Sequence, residues 1–198
     1  MRNASLLLLL IGSLSACSGE APEEAYFDRE GPPKRSDTLV AVLANAIDSI
    51  QSTPLTGDRD VDQVTEMILH HRATIQLNEI LIGQGNDEEL KDFARDLNTT
   101  QRKEIKQMKA FLYSHPPVSG RGKRGRPQVL MGLEKFEPSD DLDAAYVHLM
   151  RMHLNDAIRL AQEEAERGLH DDMQEIARGI VASTEKALDE LDRIGEGP

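Results

Sequence analysis

The feature that most constrains the fold is an internal repeat. Residues 60–111 align with residues 143–194 without a gap, at an offset of 83 residues, so that Asp60 pairs with Asp143. The other identities include Met67 with Met150, His70 with His153, and Gly85 with Gly168. Between these identities, apolar residues pair with apolar residues. The period is longer than that of solenoid repeats, so each copy is predicted to be a helical hairpin.

Each copy has the periodicity of two amphipathic helices, because apolar residues recur at alternating steps of three and four. The predicted helices run from about Asp60 to Ile82, from the cap at residues 86–89 to just before Pro116, from the cap at residues 139–141 to Gly168, and from about Asp171 to Ile194. An aromatic content of only 4%, with no Trp, also favours helices over strands.

The turns within the copies decide how these helices are arranged. Gly83 and Gly85 end the first helix, and Asn86 begins a capping box that Glu89 would complete. Connections of a few residues force the two helices of a copy to run antiparallel. Two such hairpins bury their apolar faces best against each other. We therefore predict an all-α, up-down four-helix bundle built from two duplicated hairpins.

The predicted bundle domain covers residues 36–198. Its parts are a short N-terminal helix from Asp37 to about Gln51, hairpin one at about 58–115, a connector at 116–138, and hairpin two at 139–195. The connector holds a basic run at residues 120–126. We interpret this run as a solvated loop, and the alternative is a contact with anionic lipid head groups.

The N-terminus has the pattern of a bacterial lipoprotein signal. A short positive region precedes the apolar run of residues 6–11, which is too short to span a bilayer. Residues 14–17, Leu-Ser-Ala-Cys, resemble a lipobox, so residues 1–16 are predicted to be a signal peptide. Cys17 would then carry acyl chains such as palmitate. The alternative is an ordinary signal peptide beside a chance cysteine.

The predicted lipid determines where the protein works. Residues 17–35 are polar and rich in Pro and Gly, so they are predicted to be a flexible tether. We expect a periplasmic, lipid-anchored protein of the cell envelope, and Ser18 resembles the sorting signal for an outer membrane. The net charge of −12 argues against nucleic acid as a partner. The expected partners are the membrane and a metal-handling protein.

Several polar residues interrupt the apolar stripes of copy one. His71 lies in the stripe of the first helix, with His70 beside it and Met67 one turn earlier. Gln101 and Glu104 interrupt the stripe of the second helix. An unsatisfied buried polar group costs about 1–3 kcal/mol. Antiparallel pairing brings the middles of the two helices together, so we expect these groups to meet.

Copy two is less polar at the equivalent positions. His71 corresponds to Leu154, Gln101 to Thr184, and Glu104 to Ala187. The fold therefore tolerates apolar residues at two of these positions. His153 and Met150 match their counterparts and are predicted to join the cluster from across the bundle.

Imidazoles with a carboxylate and thioethers are the ligands of a transition metal. His with Met suits copper, whereas His with Glu suits zinc or iron. Gln101 or Glu104 could also hold a ring N–H without binding the ion. The alternative is a metal-free hydrogen-bond network that fixes helix register. His115 and His170, at a helix end and in a turn, are interpreted as structural or incidental.

An enzyme is not expected. A ferritin-type oxidase needs Glu-x-x-His pairs on its helices, whereas this sequence has Glu66-x-x-x-His70 and places Ala187 where copy one has Glu104. The sequence also shows no nucleophile constellation and no phosphate-binding loop.

Residues 67–75, Met-Ile-Leu-His-His-Arg-Ala-Thr-Ile, are followed by Gln101-x-x-Glu104-Ile105-x-x-Met108. In these motifs the sequence resembles the secreted, ferritin-like family known as domain of unknown function number 305. The resemblance covers about residues 60–194, and copy two departs from it at Leu154, Thr184, Ala187 and Leu191.

Some members of that family bind copper in the periplasm, so the resemblance implies copper ahead of zinc or iron. The predicted function is an envelope-anchored lipoprotein that sequesters or transfers copper. The alternative is a metal-free bundle that acts as a structural or protein-interaction module. The predicted ligands are His70, His71, Glu104, Met67, Met108, His153 and Met150.

Overall fold

The structure is a computed structural model that describes residues 34–116, 133 and 135–196. These residues all belong to the compact unit Pro32–Pro198. The predicted signal peptide, Cys17 and the basic run of the connector lie outside the described residues, as does nearly all of the predicted tether.

The described residues form five long helices. They are α1 (Asp37–Ser52), α2 (Arg59–Gln84), α3 (Glu88–Ser114), α4 (Leu142–Arg167) and α5 (Asp171–Glu196). The prediction of an all-α fold is confirmed, and the predicted helix ends differ from the observed ones by a few residues. Among the described residues, no helix is both long enough and apolar enough to cross a membrane.

Aspartates cap three of these helices. The side chains of Asp58, Asp87 and Asp141 accept hydrogen bonds from backbone N–H groups in the first turns of α2, α3 and α4. The predicted capping box of α3 was wrong, because the cap is Asp87 rather than Asn86. Glu89 instead pairs with Arg193 of α5 at 2.9 Å.

Helices α2 to α5 form a four-helix bundle. In it α2 contacts α3 and α4, and α5 contacts the same two helices. Asp60 at the start of α2 contacts the turn after α4, so α2 and α4 are antiparallel. Glu89 and Arg193 show the same for α3 and α5. The two helices of each copy are antiparallel, as predicted, and the contacts show that neighbouring helices of different copies are antiparallel too. The directions of α2, α3, α4 and α5 are therefore up, down, down, up. One long crossover with this order occurs in ferritin-like bundles.

The contacts between the hairpins follow the same offset as the sequence. The carboxylate of Asp60 accepts from the backbone N–H groups of Leu169 and His170 at 2.7–2.9 Å. The carboxylate of Asp143 accepts from those of Asn86 and Asp87 at 3.0–3.2 Å. The start of each hairpin thus caps the turn of the other hairpin. We call these two sets of hydrogen bonds the Asp60 clasp and the Asp143 clasp.

The first helix covers one side of the bundle. Its buried face, which includes Leu39 and Leu43, packs against α2 and α4. Its start is tied to hairpin two, because Ser36 and Ser139 exchange hydrogen bonds of 3.1 and 2.8 Å. The predicted N-terminal helix is therefore present, and its apolar face is packed against the bundle.

Candidate metal centre

The polar residues predicted from copy one lie in the middle of the bundle, in one buried layer to which all four long helices contribute. His70 and His71 come from α2, Glu104 from α3, His153 from α4 and Ser183 from α5. The two α2 histidines and His153 are each at most 2% exposed. We call this set the central layer.

The first part of the central layer joins α2, α3 and α5. Nε2 of His71 donates to Oε2 of Glu104 at 2.9 Å. The hydroxyl of Ser183 donates a short hydrogen bond to Oε1 of the same carboxylate. Gln101 lies 3.4 Å from Oε2 and completes the set of donors. Glu104 therefore holds the ring of His71 in a fixed orientation and tautomer.

The second part of the central layer lies between α2 and α4. The rings of His70 and His153 stack with their centroids 3.6 Å apart and an interplanar angle of 8°. Nε2 of His153 donates to the backbone carbonyl of His70 at 3.1 Å. Asp156 approaches from α4, with one oxygen 3.6 Å from Nε2 of His70 and the other bound by Arg159 at 2.7 Å.

These contacts leave ring nitrogens without partners. Within the described part of the chain, no hydrogen-bond partner reaches Nδ1 of His71, Nδ1 of His153, or either ring nitrogen of His70. Because Nε2 of His71 and of His153 carries the proton, Nδ1 of each ring carries a lone pair. The central layer thus contains two buried imidazole lone pairs without a donor, on His71 and His153, which is the state in which imidazole binds a metal.

The surroundings keep two of these rings neutral. Burial lowers the pKa of His71, although the hydrogen bond to Glu104 partly opposes that shift. Burial and the neighbouring His70 lower the pKa of His153 well below its usual value. At neutral pH the rings of His71 and His153 are therefore in their neutral form, and Nδ1 of each can donate a lone pair.

The three predicted thioethers are also buried. Met67 is 2% exposed, and Met108 and Met150 are 0% exposed. Met67 and Met108 pack within the apolar core beside Ile68 and Phe111. Met67 shares α2 with His70 and His71, and Met108 shares α3 with Glu104, but the observed role of both thioethers is to fill the core.

The stacking restricts how an ion could be shared. A metal ion bound by imidazole lies close to the plane of the ring, about 2 Å from the nitrogen. The His70 and His153 rings are nearly parallel and 3.6 Å apart. An ion held by both rings therefore requires one ring to rotate away from the stack.

A different group of donors meets at one end of the bundle. Asp58, Asp60 and His170 each offer a ligand atom, and these atoms lie within 4.8 Å of one another. They form a possible metal-ligand group at the Asp60 clasp. Nδ1 of His170 donates to Asp60 at 2.7 Å, and this bond raises the pKa of His170. Burial alone would raise the pKa of Asp60, but its hydrogen bonds lower it.

Sequence reasoning missed this group, because Asp60 served only to mark the repeat and His170 was interpreted as incidental. It also missed Asp156 and Ser183 in the central layer. The offset of the repeat offers a signal for Asp156, which stands opposite Ala73. A buried charge where the other copy has an apolar residue is a difference that the sequence displays.

The chain was also compared with known proteins. The family profile described as "Domain of unknown function (DUF305)" matches residues 60–194. The crystal structure of a DUF305 fragment from Deinococcus radiodurans is similar to this chain, with a TM-score of 0.57 and 19% identity over 73% of this chain and 99% of that one. At this identity the likeness shows the fold alone, and no curated protein matches the sequence. The resemblance found in the sequence is confirmed, since the profile spans more than half of the chain: the protein belongs to the DUF305 family.

Proposed function

We propose that this protein binds a copper ion in the central layer and serves as a lipid-anchored binding protein of the bacterial cell envelope. The observation that carries the proposal is the set of three buried imidazoles, each with a ring nitrogen that has no hydrogen-bond partner among the described residues. A buried polar atom without a partner costs free energy that a bound ion would offset. The proposed role is binding and transfer of the ion rather than catalysis.

The chemistry of the donors favours copper in its reduced form. Imidazole and thioether are the softer ligands among those available to a protein, and Cu(I) prefers them. A monovalent ion also loses less hydration free energy on burial than a divalent ion does. His70, His71 and His153 would supply nitrogen. Met67 and Met150 are the thioethers on the helices of these histidines, and Met108 is on α3 with Glu104. Glu104 would orient His71 through its ring N–H.

One observation favours the metal-free alternative. His71, Glu104, Gln101 and Ser183 already form a continuous hydrogen-bond network that joins three helices. Such a network can fix helix register without an ion. Under this alternative the bundle acts as a structural or protein-interaction module at the envelope.

A competition titration distinguishes the two functions. The soluble form from Ser18 onward is titrated with Cu(I), Cu(II) and Zn(II) against chelators of known affinity, beside the double variant His70→Ala, His71→Ala. Stoichiometric Cu(I) binding that the double variant abolishes supports the proposal. Equal affinity in both proteins contradicts it. His148→Ala is the matched control, because His148 lies on α4 and is exposed.

The anchor is tested separately from the metal. If Cys17 carries lipid, the full-length chain expressed in a bacterium partitions into the detergent phase, and its mass exceeds that of the chain from Cys17 onward by the acyl groups. Cys17→Ser should release the protein into the aqueous phase. A Cys17→Ser variant that still partitions with the detergent would contradict the lipid anchor and leave the copper site unaffected.

A further inference from the structure

The Asp60 clasp differs from the Asp143 clasp in one buried side chain. Glu164, on α4, corresponds to Leu81 on α2 at the offset of the repeat. Both residues are almost fully buried, with Leu81 at 0% and Glu164 at 1% exposure. Each also packs against the glycine that ends its helix. A Cβ atom added to Gly85 would lie 2.8 Å from Cδ1 of Leu81, and one added to Gly168 would lie 2.9 Å from Oε1 of Glu164.

The backbone hydrogen bonds that form a clasp do not require a carboxylate at the position of Glu164. The Asp143 clasp keeps its backbone hydrogen bonds with an apolar leucine in the same place. In the part of the chain that the structure describes, neither carboxyl oxygen of Glu164 has a hydrogen-bond partner. A buried carboxylate without partners destabilises the fold. Burial, together with the neighbouring Asp60, accordingly raises the pKa of Glu164 to about 7.

The charges around Glu164 favour a cation. Asp58, Asp60 and His170 offer ligand atoms within 4.8 Å of one another. Glu164 is not one of that group, but it lies beside Asp60, whose charge helps to raise its pKa. The nearest arginine is Arg59, whose Nε lies 3.7 Å from Glu164 and whose Nη2 lies 3.2 Å from the carboxylate of Glu163. Four carboxylates therefore share two basic side chains, Arg59 and His170.

We propose that Glu164 completes a second cation site at the Asp60 clasp, in which Asp58, Asp60 and Glu164 supply oxygens and His170 supplies a ring nitrogen. A set of three carboxylates and one imidazole suits a divalent ion such as Mn²⁺ or Zn²⁺ rather than Cu(I). The site lies at the end of the bundle, whereas the central layer lies at its middle, so the two sites are separate. This inference does not depend on copper binding.

The site also has a route to solvent. Asp60 and Glu164 are buried, but His170 has 33% of its side chain exposed. The Nδ1–H of His170 donates to Asp60, so an ion bound by both residues would take the place of this proton, and the ring proton would then be carried by Nε2. His170 is the exposed member of the set, so an ion would enter beside its ring.

Mn²⁺ is the probe that separates this site from the central layer, because imidazole and thioether ligands do not favour it. Free Mn²⁺ in titrations of the chelator-treated protein is quantified by its electron paramagnetic resonance signal. We expect one bound equivalent in the wild type, with affinity reduced at least tenfold in Glu164→Gln and in Asp60→Asn. The double variant His70→Ala, His71→Ala should bind Mn²⁺ as the wild type does.

Asp143→Asn is the matched control, since it weakens the other clasp, where the described residues form no comparable group of metal ligands. Equal loss of Mn²⁺ binding in Asp60→Asn and Asp143→Asn would overturn the proposal, as would unchanged binding in Glu164→Gln. Absence of Mn²⁺ and Zn²⁺ binding in the wild type would overturn it as well. Glu164→Leu places the residue of copy one in copy two, so we expect it to fold. It should raise the Tm of the metal-free protein and abolish any increase caused by Mn²⁺.

Discussion

Hairpin one and hairpin two consist of equivalent helices joined by equivalent turns, yet they bury different polar residues. At the middle of the bundle, hairpin one contributes His71 and Glu104 where hairpin two has Leu154 and Ala187. At the turns the difference is reversed, since hairpin two contributes Glu164 where hairpin one has Leu81. The shared aspartates support the fold, and the differences show where polar groups are buried that the fold itself does not require.

The residues that both hairpins share form contacts between the hairpins. Both clasps use an aspartate at the start of one hairpin to bind the backbone of the other hairpin's turn. The stacked pair of His70 and His153 consists of equivalent residues and therefore lies where the two hairpins meet at equal positions. Equivalence explains why these rings stack, but it does not explain their unpartnered nitrogens.

The largest expected effect is at Glu104. Glu104→Leu would leave the ring N–H of His71 and the side-chain amide of Gln101 without their shared acceptor, Oε2. At about 2 kcal/mol for each of two buried groups, the free energy of unfolding should fall by about 4 kcal/mol. Urea unfolding followed by circular dichroism measures it. Glu190→Leu, at an exposed position of α5, should change it by less than about 0.5 kcal/mol. Equal effects would contradict the network.

The next effect is a dependence on pH that Glu164 gives to the metal-free protein. Its pKa is raised from 4.5 to about 7 by burial, so the folded state binds its proton more strongly than the unfolded state does. Stability should therefore fall as pH rises from 4.5 to 7, by at most roughly 3 kcal/mol at 1.36 kcal/mol for each unit. His170, whose pKa is also raised, contributes in the same direction at higher pH.

The contribution of Glu164 is isolated by comparing the wild type with Glu164→Gln in the presence of a chelator. Glutamine has the same size and does not titrate, so the difference in the free energy of unfolding should change across pH 4.5–7. A constant difference over that range would show that the carboxyl of Glu164 does not titrate there.

A third prediction concerns a variant in which three central-layer residues of hairpin one are replaced by their equivalents from hairpin two. The triple variant His71→Leu, Gln101→Thr, Glu104→Ala should lose Cu(I) affinity at least a hundredfold, which is about 2.8 kcal/mol. Three of the four network residues are replaced by the side chains that copy two has at the same positions, and Ser183 keeps its bond to the carbonyl of Ile180, so stability should change little or increase. Retained Cu(I) affinity would show that the asymmetry of the hairpins is unrelated to copper.

The smallest effect concerns the clasps. In the presence of a chelator, Asp60→Asn and Asp143→Asn should each lower the free energy of unfolding by about 1–2 kcal/mol, because an amide is a weaker acceptor than a carboxylate. Thermal and urea unfolding of both variants provide the measurement. A much larger loss for Asp143→Asn than for Asp60→Asn would contradict the view that the two clasps are equivalent supports.

The two sites differ in how far the sequence could reveal them. His71 and Glu104 were found because they interrupt an apolar stripe, and His70 because it stands beside His71. The structure buries all three side chains. Asp58 and His170 are polar residues at a helix start and in a turn, where polar residues are ordinary. Their proximity depends on two segments that are more than 100 residues apart. Nothing in a local pattern indicates such a meeting.

The hairpins, the bundle and the polar residues in its middle follow from the sequence alone, because the periodicity of apolar residues and the repeat offset are local or pairwise properties of the chain. The partners of the ring nitrogens, the stacking of His70 on His153 and the position of Glu164 beside Asp60 became visible in the folded molecule alone. Those outcomes depend on side-chain orientation at contacts between helices. Burial then decides their energetic consequence, since an unpartnered group that costs little in water becomes costly in the core.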